Sequence, residues 1–181
     1  ARIYAALEPA MAEAATRSAT LITGAAKVVE ELRSLGVGIG SGTGYTPAMM
    51  AGIRSAAKAQ GYEPDVVICA GDTPSGRPAP LMTWAALIQL NAYPAGLCVK
   101  VDDAPVGIEE GKAAGCWTVG IAGSGNEIGL EREDYLALPE DERAELLASA
   151  GQVLRDAGAD YVIEDISQLM PVIQDIADRL A

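Results

Sequence analysis

Short apolar runs alternate along this chain with longer stretches of helical periodicity. Val28, Val29, Leu32 and Leu35 share one helical face, and Gly36 follows them as a residue suited to the left-handed turn that ends a helix. A short strand is expected over residues 37–40. Pro47 then opens a helix over 47–60, with Thr46 as its N-cap. Strands are expected over 65–70, 97–101, 116–122 and 161–163, and helices over 80–91, 106–114, 140–157 and 167–180. The last helix carries Leu169, Met170, Ile173, Ile176 and Leu180 at helical spacing, and Gly115 and Gly158 stop two of the others. Strands and helices in strict alternation imply an α/β fold with a parallel sheet covered on both faces, a three-layer Rossmann-like arrangement. The polar, Gly-rich stretch over 123–136 is too long for an ordinary connection and is expected to be a functional loop. Residues 3–17 are Ala-rich and helical, and read as the tail of a helix with partners upstream.

Polar segments follow three of the strands. Ser41-Gly42-Thr43-Gly44 supplies hydroxyls and glycines just before a helix start, which can cradle a phosphate or simply cap the helix. Gly76-Arg77-Pro78 holds one guanidinium in a proline-bracketed turn. Val101-Asp102-Asp103 places two carboxylates where an apolar run ends, a cluster that a divalent metal would stabilise. Successive strand residues point to opposite faces, so only one of these aspartates is expected to face a given ligand. The C-terminal edge of a parallel sheet, where the three segments would meet, is where α/β proteins bind ligands. Lys100 is expected to snorkel at the sheet edge, Glu109, Glu110 and Lys112 to form an exposed helix face, and Glu131 to Asp134 a solvated loop.

Composition narrows the chemistry. A chain of 181 residues with 50% hydrophobic content suits one domain, and without Phe its core must be built from Ala, Val, Leu and Ile. A net charge of −12 without basic clusters argues against nucleic acid or an anionic membrane as partner. The three cysteines, Cys69, Cys98 and Cys116, sit in or beside apolar runs and read as reduced core thiols of a cytoplasmic protein. No run reaches the roughly 18 apolar residues of a membrane span. Histidine is absent, which removes Ser-His-Asp and Cys-His catalysis and histidine-ligated zinc, and leaves carboxylates, hydroxyls, Arg, Lys or a metal with oxygen ligands.

The three segments fall in the order hydroxyl, basic, acidic, which resembles the second to fourth motifs of the haloacid dehalogenase superfamily. Within it, Ile39-Gly40-Ser41-Gly42-Thr43-Gly44-Tyr45-Thr46, Gly76-Arg77-Pro78-Ala79-Pro80, Gly111-Lys112-Ala113-Ala114-Gly115-Cys116-Trp117-Thr118-Val119-Gly120 and Gly123-Ser124-Gly125-Asn126-Glu127-Ile128-Gly129-Leu130 resemble the phosphonoacetaldehyde hydrolase family. Arg77, where most of the superfamily carries Lys, is a specific mark of that family. The resemblance implies a haloacid dehalogenase-like core over 21–181, with residues 1–20 as the C-terminal remnant of a helical cap or linker. The first strand, between those containing Ile39 and Val99, and most of the cap would be missing.

It also implies Mg²⁺-dependent hydrolysis of the carbon–phosphorus bond of phosphonoacetaldehyde, a small-molecule phosphonate, to acetaldehyde and phosphate, in a homodimer. Thr43 and Arg77 fall on catalytic positions, Thr43, Gly44 and Arg77 on phosphate-binding ones, and Asp103 on the metal-binding carboxylate. Asp102 replaces the Gly that often precedes that aspartate, Gly107 replaces a second acid four positions after it, and the metal site is expected to lean on Asp102 or on water instead. The nucleophilic aspartate and the Schiff-base lysine would lie upstream, so this chain alone is expected to be inactive. The alternatives are a generic phosphatase of the superfamily and a catalytically silent fragment that binds phosphate or dimerises.

Overall fold

A computed structural model describes residues 2–181, with side chains from residue 10 onward. Helix α1 (Arg2–Arg17) leads into α2 (Ala25–Ser34), β1 (Gly40–Gly42), α3 (Pro47–Ala59), β2 (Val66–Ile68), α4 (Leu81–Leu90), β3 (Val99–Asp102), α5 (Pro105–Ala114), β4 (Trp117–Ile121), α6 (Arg132–Ala137), α7 (Glu140–Asp156), β5 (Tyr161–Ile163) and α8 (Leu169–Leu180). All strand pairs are parallel, as the alternation implies. They form two sheets, β1-β2 and β3-β4-β5, and among the described residues no ladder joins β1 to β3. The break falls between the strand that follows Ile39 and the strand that begins at Val99.

Two apolar clusters cover the faces. Val28 and Leu32 of α2 pack with Val119, Ile121, Ile163 and Leu169, and Ile39, Val99 and Val101 join them from both sheets. Ile108 of α5 packs on the other side with Ile128, Tyr135, Ala150 and Leu154. Helix α4 lies against β1, β2 and α5, so it spans the break. Helix α1 rests on α3, where Gly52 leaves room for Thr16: a Cβ on residue 52 would stand 2.9 Å from Thr16 Cγ2.

Three expectations shift. The strand expected over 37–40 pairs at Gly40–Gly42 instead, because the partner strand begins only at Val66. Before it, the Ile39 N–H donates to the Asp65 carboxylate at 2.8 Å rather than to a ladder carbonyl. The strand expected over 97–101 begins at Val99 and includes Asp102, since Ala95–Leu97 winds into a 3₁₀ turn after Pro94. The segment 123–136 is not a loop throughout. Arg132–Ala137 is helical, with Glu133 and Asp134 in the first turn, where the helix dipole favours negative charge. Tyr135 is buried there, its hydroxyl donating to Glu164 Oε1 at 3.1 Å, and Arg132 pairs with Asp165 at 3.0 Å.

Candidate active site

β1 and β2 run parallel and end at one edge, the Arg77–Asp102 contact brings the end of β3 beside it, and each strand delivers one of the polar segments. After β1, the Thr43 N–H still donates to Ile68 O at 2.9 Å, which holds the turn against β2. The Thr43 hydroxyl oxygen accepts the Tyr45 N–H at 3.1 Å, a bond that uses a lone pair and not the hydroxyl proton. Thr46 caps α3 by accepting the Met49 N–H, as its position before Pro47 implies. The loop after β2 is fastened to this turn, since the Ala70 N–H donates to Tyr45 O at 2.9 Å. Asp72 turns that loop by accepting the Cys69 N–H at 2.7 Å.

Arg77 reaches from the β2 loop across the break between the sheets. One guanidinium nitrogen lies 3.7 Å from where a Cβ on Gly44 would stand, so the hydroxyl turn and the arginine adjoin. Its NH1 lies 3.5 Å from Asp102 Oδ2 at the end of β3. The basic and acidic segments therefore meet on one edge of the fold. The cavity of about 600 Å³ beside the hydroxyl turn is lined by Thr43, Tyr45, Arg54, Lys58 and Tyr62, and neither Arg77 nor Asp103 reaches it. The segments adjoin through Gly44, Arg77 and Asp102, whereas the Thr43 and Asp103 side chains meet other partners, Tyr45 and Asn126, so the three expected side chains do not converge on this cavity.

Asp102 belongs to a buried charge network. Its Oδ2 also lies 3.2 Å from Lys100 Nζ, its Oδ1 accepts the Ala104 N–H at 3.1 Å, and its side chain is only 9% exposed. Lys100 Nζ stands equally 3.2 Å from Glu110 Oε2, and Glu110 Oε1 accepts the Thr83 N–H at 3.0 Å. Lys100 is therefore no snorkelling side chain, and Glu110, 1% exposed, is not part of an exposed helix face; of that trio only Glu109 and Lys112 are exposed. Helix α5 makes the space: a Cβ on Gly107 would lie 2.0 Å from Asp102 Cγ, and one on Gly111 2.7 Å from Lys100 Cγ. Two cations and two carboxylates balance to zero, the condition under which charges tolerate burial.

Asp103, just past the end of β3, has different partners. Its Oδ2 accepts the Asn126 N–H at 3.3 Å, and Gly125 packs on it so closely that a Cβ there would lie 2.9 Å from Asp103 Cβ. Ser124, next in this turn, has a buried hydroxyl without a hydrogen-bond partner among the described residues. Of the two aspartates, Asp103 has the carboxylate that no cation engages among the described residues, and a carboxylate oxygen is the hard donor that Mg²⁺ takes. Among the described residues no three His, Cys, Asp or Glu side chains gather to hold a metal by themselves.

The cysteines take no part. All three are free, and burial pushes the Cys116 thiol up to about 11 and raises Cys69 and Cys98 as well, so none is a poised thiolate. No helix among the described residues is long and apolar enough to cross a membrane.

The model of the haloacid dehalogenase-like hydrolases matches residues 2–115. The chain is 44% identical over 179 residues to a phosphonoacetaldehyde hydrolase of Paraburkholderia phytofirmans, covering 99% of this chain and 67% of that protein. It is 38% identical to a phosphonoacetaldehyde hydrolase of Nitratidesulfovibrio vulgaris, covering 64% of it. A crystal structure of a phosphonoacetaldehyde hydrolase-like protein from Oleispira antarctica superposes with a TM-score of 0.96 at 43% identity, over 99% of this chain and 65% of that one. The chain thus spans about two thirds of the length of the relatives it matches.

Proposed function

The chain belongs to the haloacid dehalogenase-like hydrolases, and we propose that it contributes the phosphoryl-binding and metal-binding side of an enzyme that hydrolyses the carbon–phosphorus bond of phosphonoacetaldehyde to acetaldehyde and phosphate. The observation that carries this reading is Arg77, held between the Thr43–Gly44 turn and the end of β3. A guanidinium in that place donates charge-assisted hydrogen bonds to a phosphoryl group. The Thr43 hydroxyl adds a second donor from the neighbouring turn. Asp103 would hold Mg²⁺, and a cation there would supply screening of the phosphoryl charge. In this reading the nucleophilic aspartate and the imine-forming lysine belong to the part of such an enzyme that this chain does not span. Three unpaired thiols support the reducing cytoplasm as its compartment.

The test is a Mg²⁺ titration of acetaldehyde release by the full-length enzyme. Arg77→Ala removes a preorganised donor and is expected to cost about 2–4 kcal/mol of transition-state stabilisation at any Mg²⁺ concentration. Asp103→Ala weakens metal binding, so excess Mg²⁺ restores part of its rate. Equal rescue of both variants, or full activity without metal, would refute the assignment of roles.

A further inference from the structure

The face of α5 that meets β3 lacks two side chains at helical spacing, Gly107 and Gly111, and the space left by each is filled from the strand. Lys100 takes the place beside Gly111 and Asp102 the place beside Gly107. At Gly107 the exchange is close to complete. A Cβ built there would stand 2.0 Å from Asp102 Cγ, 2.1 Å from Oδ2 and 2.4 Å from Oδ1, so a side chain on residue 107 would begin inside the volume of the Asp102 carboxylate. A side chain on residue 107 and the Asp102 carboxylate thus exclude one another, and here the strand fills the space.

The occupant of this space has defined partners. Asp102 Oδ2 faces Arg77 NH1 at 3.5 Å and Lys100 Nζ at 3.2 Å, and Lys100 is anchored in turn by Glu110, which is fixed to the start of α4 through the Thr83 N–H. The charges run Arg77, Asp102, Lys100, Glu110 in alternating sign, from the half-buried arginine inward to a side chain that is 1% exposed. A carboxylate already bound by two cations and a backbone N–H is a poor metal ligand. It is well placed to hold a guanidinium that would otherwise have to span the break between two sheets unsupported.

We propose that Asp102 is a positioning residue for Arg77: its carboxylate, backed by Lys100 and Glu110 and admitted by the missing side chain of Gly107, orients the guanidinium for an incoming phosphoryl anion and is not a metal ligand. This rests on the phosphoryl-binding role proposed above. The two ideas part experimentally, because inorganic phosphate and Mg²⁺ can each be titrated by calorimetry without turnover. If the parent enzyme binds phosphate but releases no acetaldehyde, the substrate assignment fails and the positioning role stands to be read.

The experiment compares Asp102→Asn, Asp102→Gly, Gly107→Asp and the exchanged pair Asp102→Gly/Gly107→Asp in the full-length enzyme. Asp102→Asn keeps the shape and an acceptor for the Ala104 N–H but removes the charge that faces Arg77. It is expected to weaken inorganic phosphate about 10- to 100-fold, the span of one charge-assisted contact, while Mg²⁺ affinity stays within about twofold. Each glycine exchange alone is expected to lose phosphate affinity, one by removing the carboxylate and the other by crowding it. The exchanged pair returns a carboxylate to the shared space and is expected to recover at least about tenfold over Asp102→Gly, a non-additivity that neighbours sharing one volume display.

A loss of Mg²⁺ affinity in Asp102→Asn with phosphate binding intact would make Asp102 a metal ligand and overturn the proposal. So would a fall in melting temperature with phosphate binding unchanged, which is the signature of a purely structural carboxylate. Should Asp102→Asn not fold, the exchanged pair carries the test. An exchanged pair that fails to fold, or that binds phosphate no better than the worse single variant, refutes the shared space.

Discussion

Replacing Lys100 by Met should be among the most costly single changes in this chain. The ammonium stands 3.2 Å from both Asp102 Oδ2 and Glu110 Oε2, and its side chain is 15% exposed. Methionine is similar in length, so packing against Gly111 is nearly conserved and the loss is electrostatic. Asp102 retains Arg77 and the Ala104 N–H, but among the described residues Glu110 keeps only the Thr83 N–H to compensate a full buried charge. Breaking a buried pair by removing one partner costs about 3–5 kcal/mol, and Lys100→Met is expected within that span. Glu110→Gln is milder, because the amide oxygen still accepts from Thr83 and Lys100 still has Asp102; about 1–3 kcal/mol follows from losing one charged contact. The combined variant removes the stranded charge itself. Its cost should therefore fall short of the sum of the singles by about 1–3 kcal/mol. Urea unfolding read by tryptophan fluorescence gives all three values from the midpoints. Additive costs, or a Glu110→Gln variant less stable than Lys100→Met, would refute the description of Lys100 as the shared counter-ion of two buried carboxylates.

Two further changes probe the frame around the site. Burial alone would raise the Asp160 pKa, but Lys112 at 2.8 Å and the Thr118 N–H and hydroxyl at 2.8 and 2.9 Å together hold it below its ordinary value of 3.8. A depressed folded-state value adds stability that is fully present above the unfolded pKa and is lost as pH falls through the folded one. Asp160→Asn should therefore cost about 1–3 kcal/mol at pH 7, with the gap to the parent closing below about pH 4 in urea melts across pH; a constant gap would contradict this. Gly111→Ala places a Cβ 2.7 Å from Lys100 Cγ and 2.8 Å from Thr118 Cγ2. That overpacking should cost about 1–3 kcal/mol, and a neutral melting temperature would mean that Lys100 can give way.

Much of the fold was legible because its elements obey local rules. Thr46 before Pro47, Gly115 after α5 and the apolar spacing of α8 each carry their meaning within a few residues. The weak points were those set by a partner element. The bounds of β1 depend on where β2 begins, and α6 is held by Tyr135 meeting Glu164, a residue 29 positions later. The burial of Lys100 and Glu110 escapes local rules for the same reason. An isolated Lys beside a strand and a Glu on a short helix look solvated until the strand and helix are laid together.

The pair Asp102 and Gly107 shows where such reading stops and what would extend it. Taken singly, an extra aspartate and a missing side chain are unrelated oddities five positions apart. Placed on β3 and on the first turns of α5, they compete for one volume, and each makes the other possible. The signal was present as a spacing: Lys100 with Gly111 and Asp102 with Gly107 are nested pairs about the turn between strand and helix, the pattern expected when a helix folds back over the strand that precedes it. A polar side chain on a buried strand, matched by a glycine at the mirrored position of the following helix, is thus readable as a charge tucked under that helix. By that rule Asp103, which has no such glycine in α5, is the aspartate left to face outward, and there it meets the turn at Ser124 to Asn126.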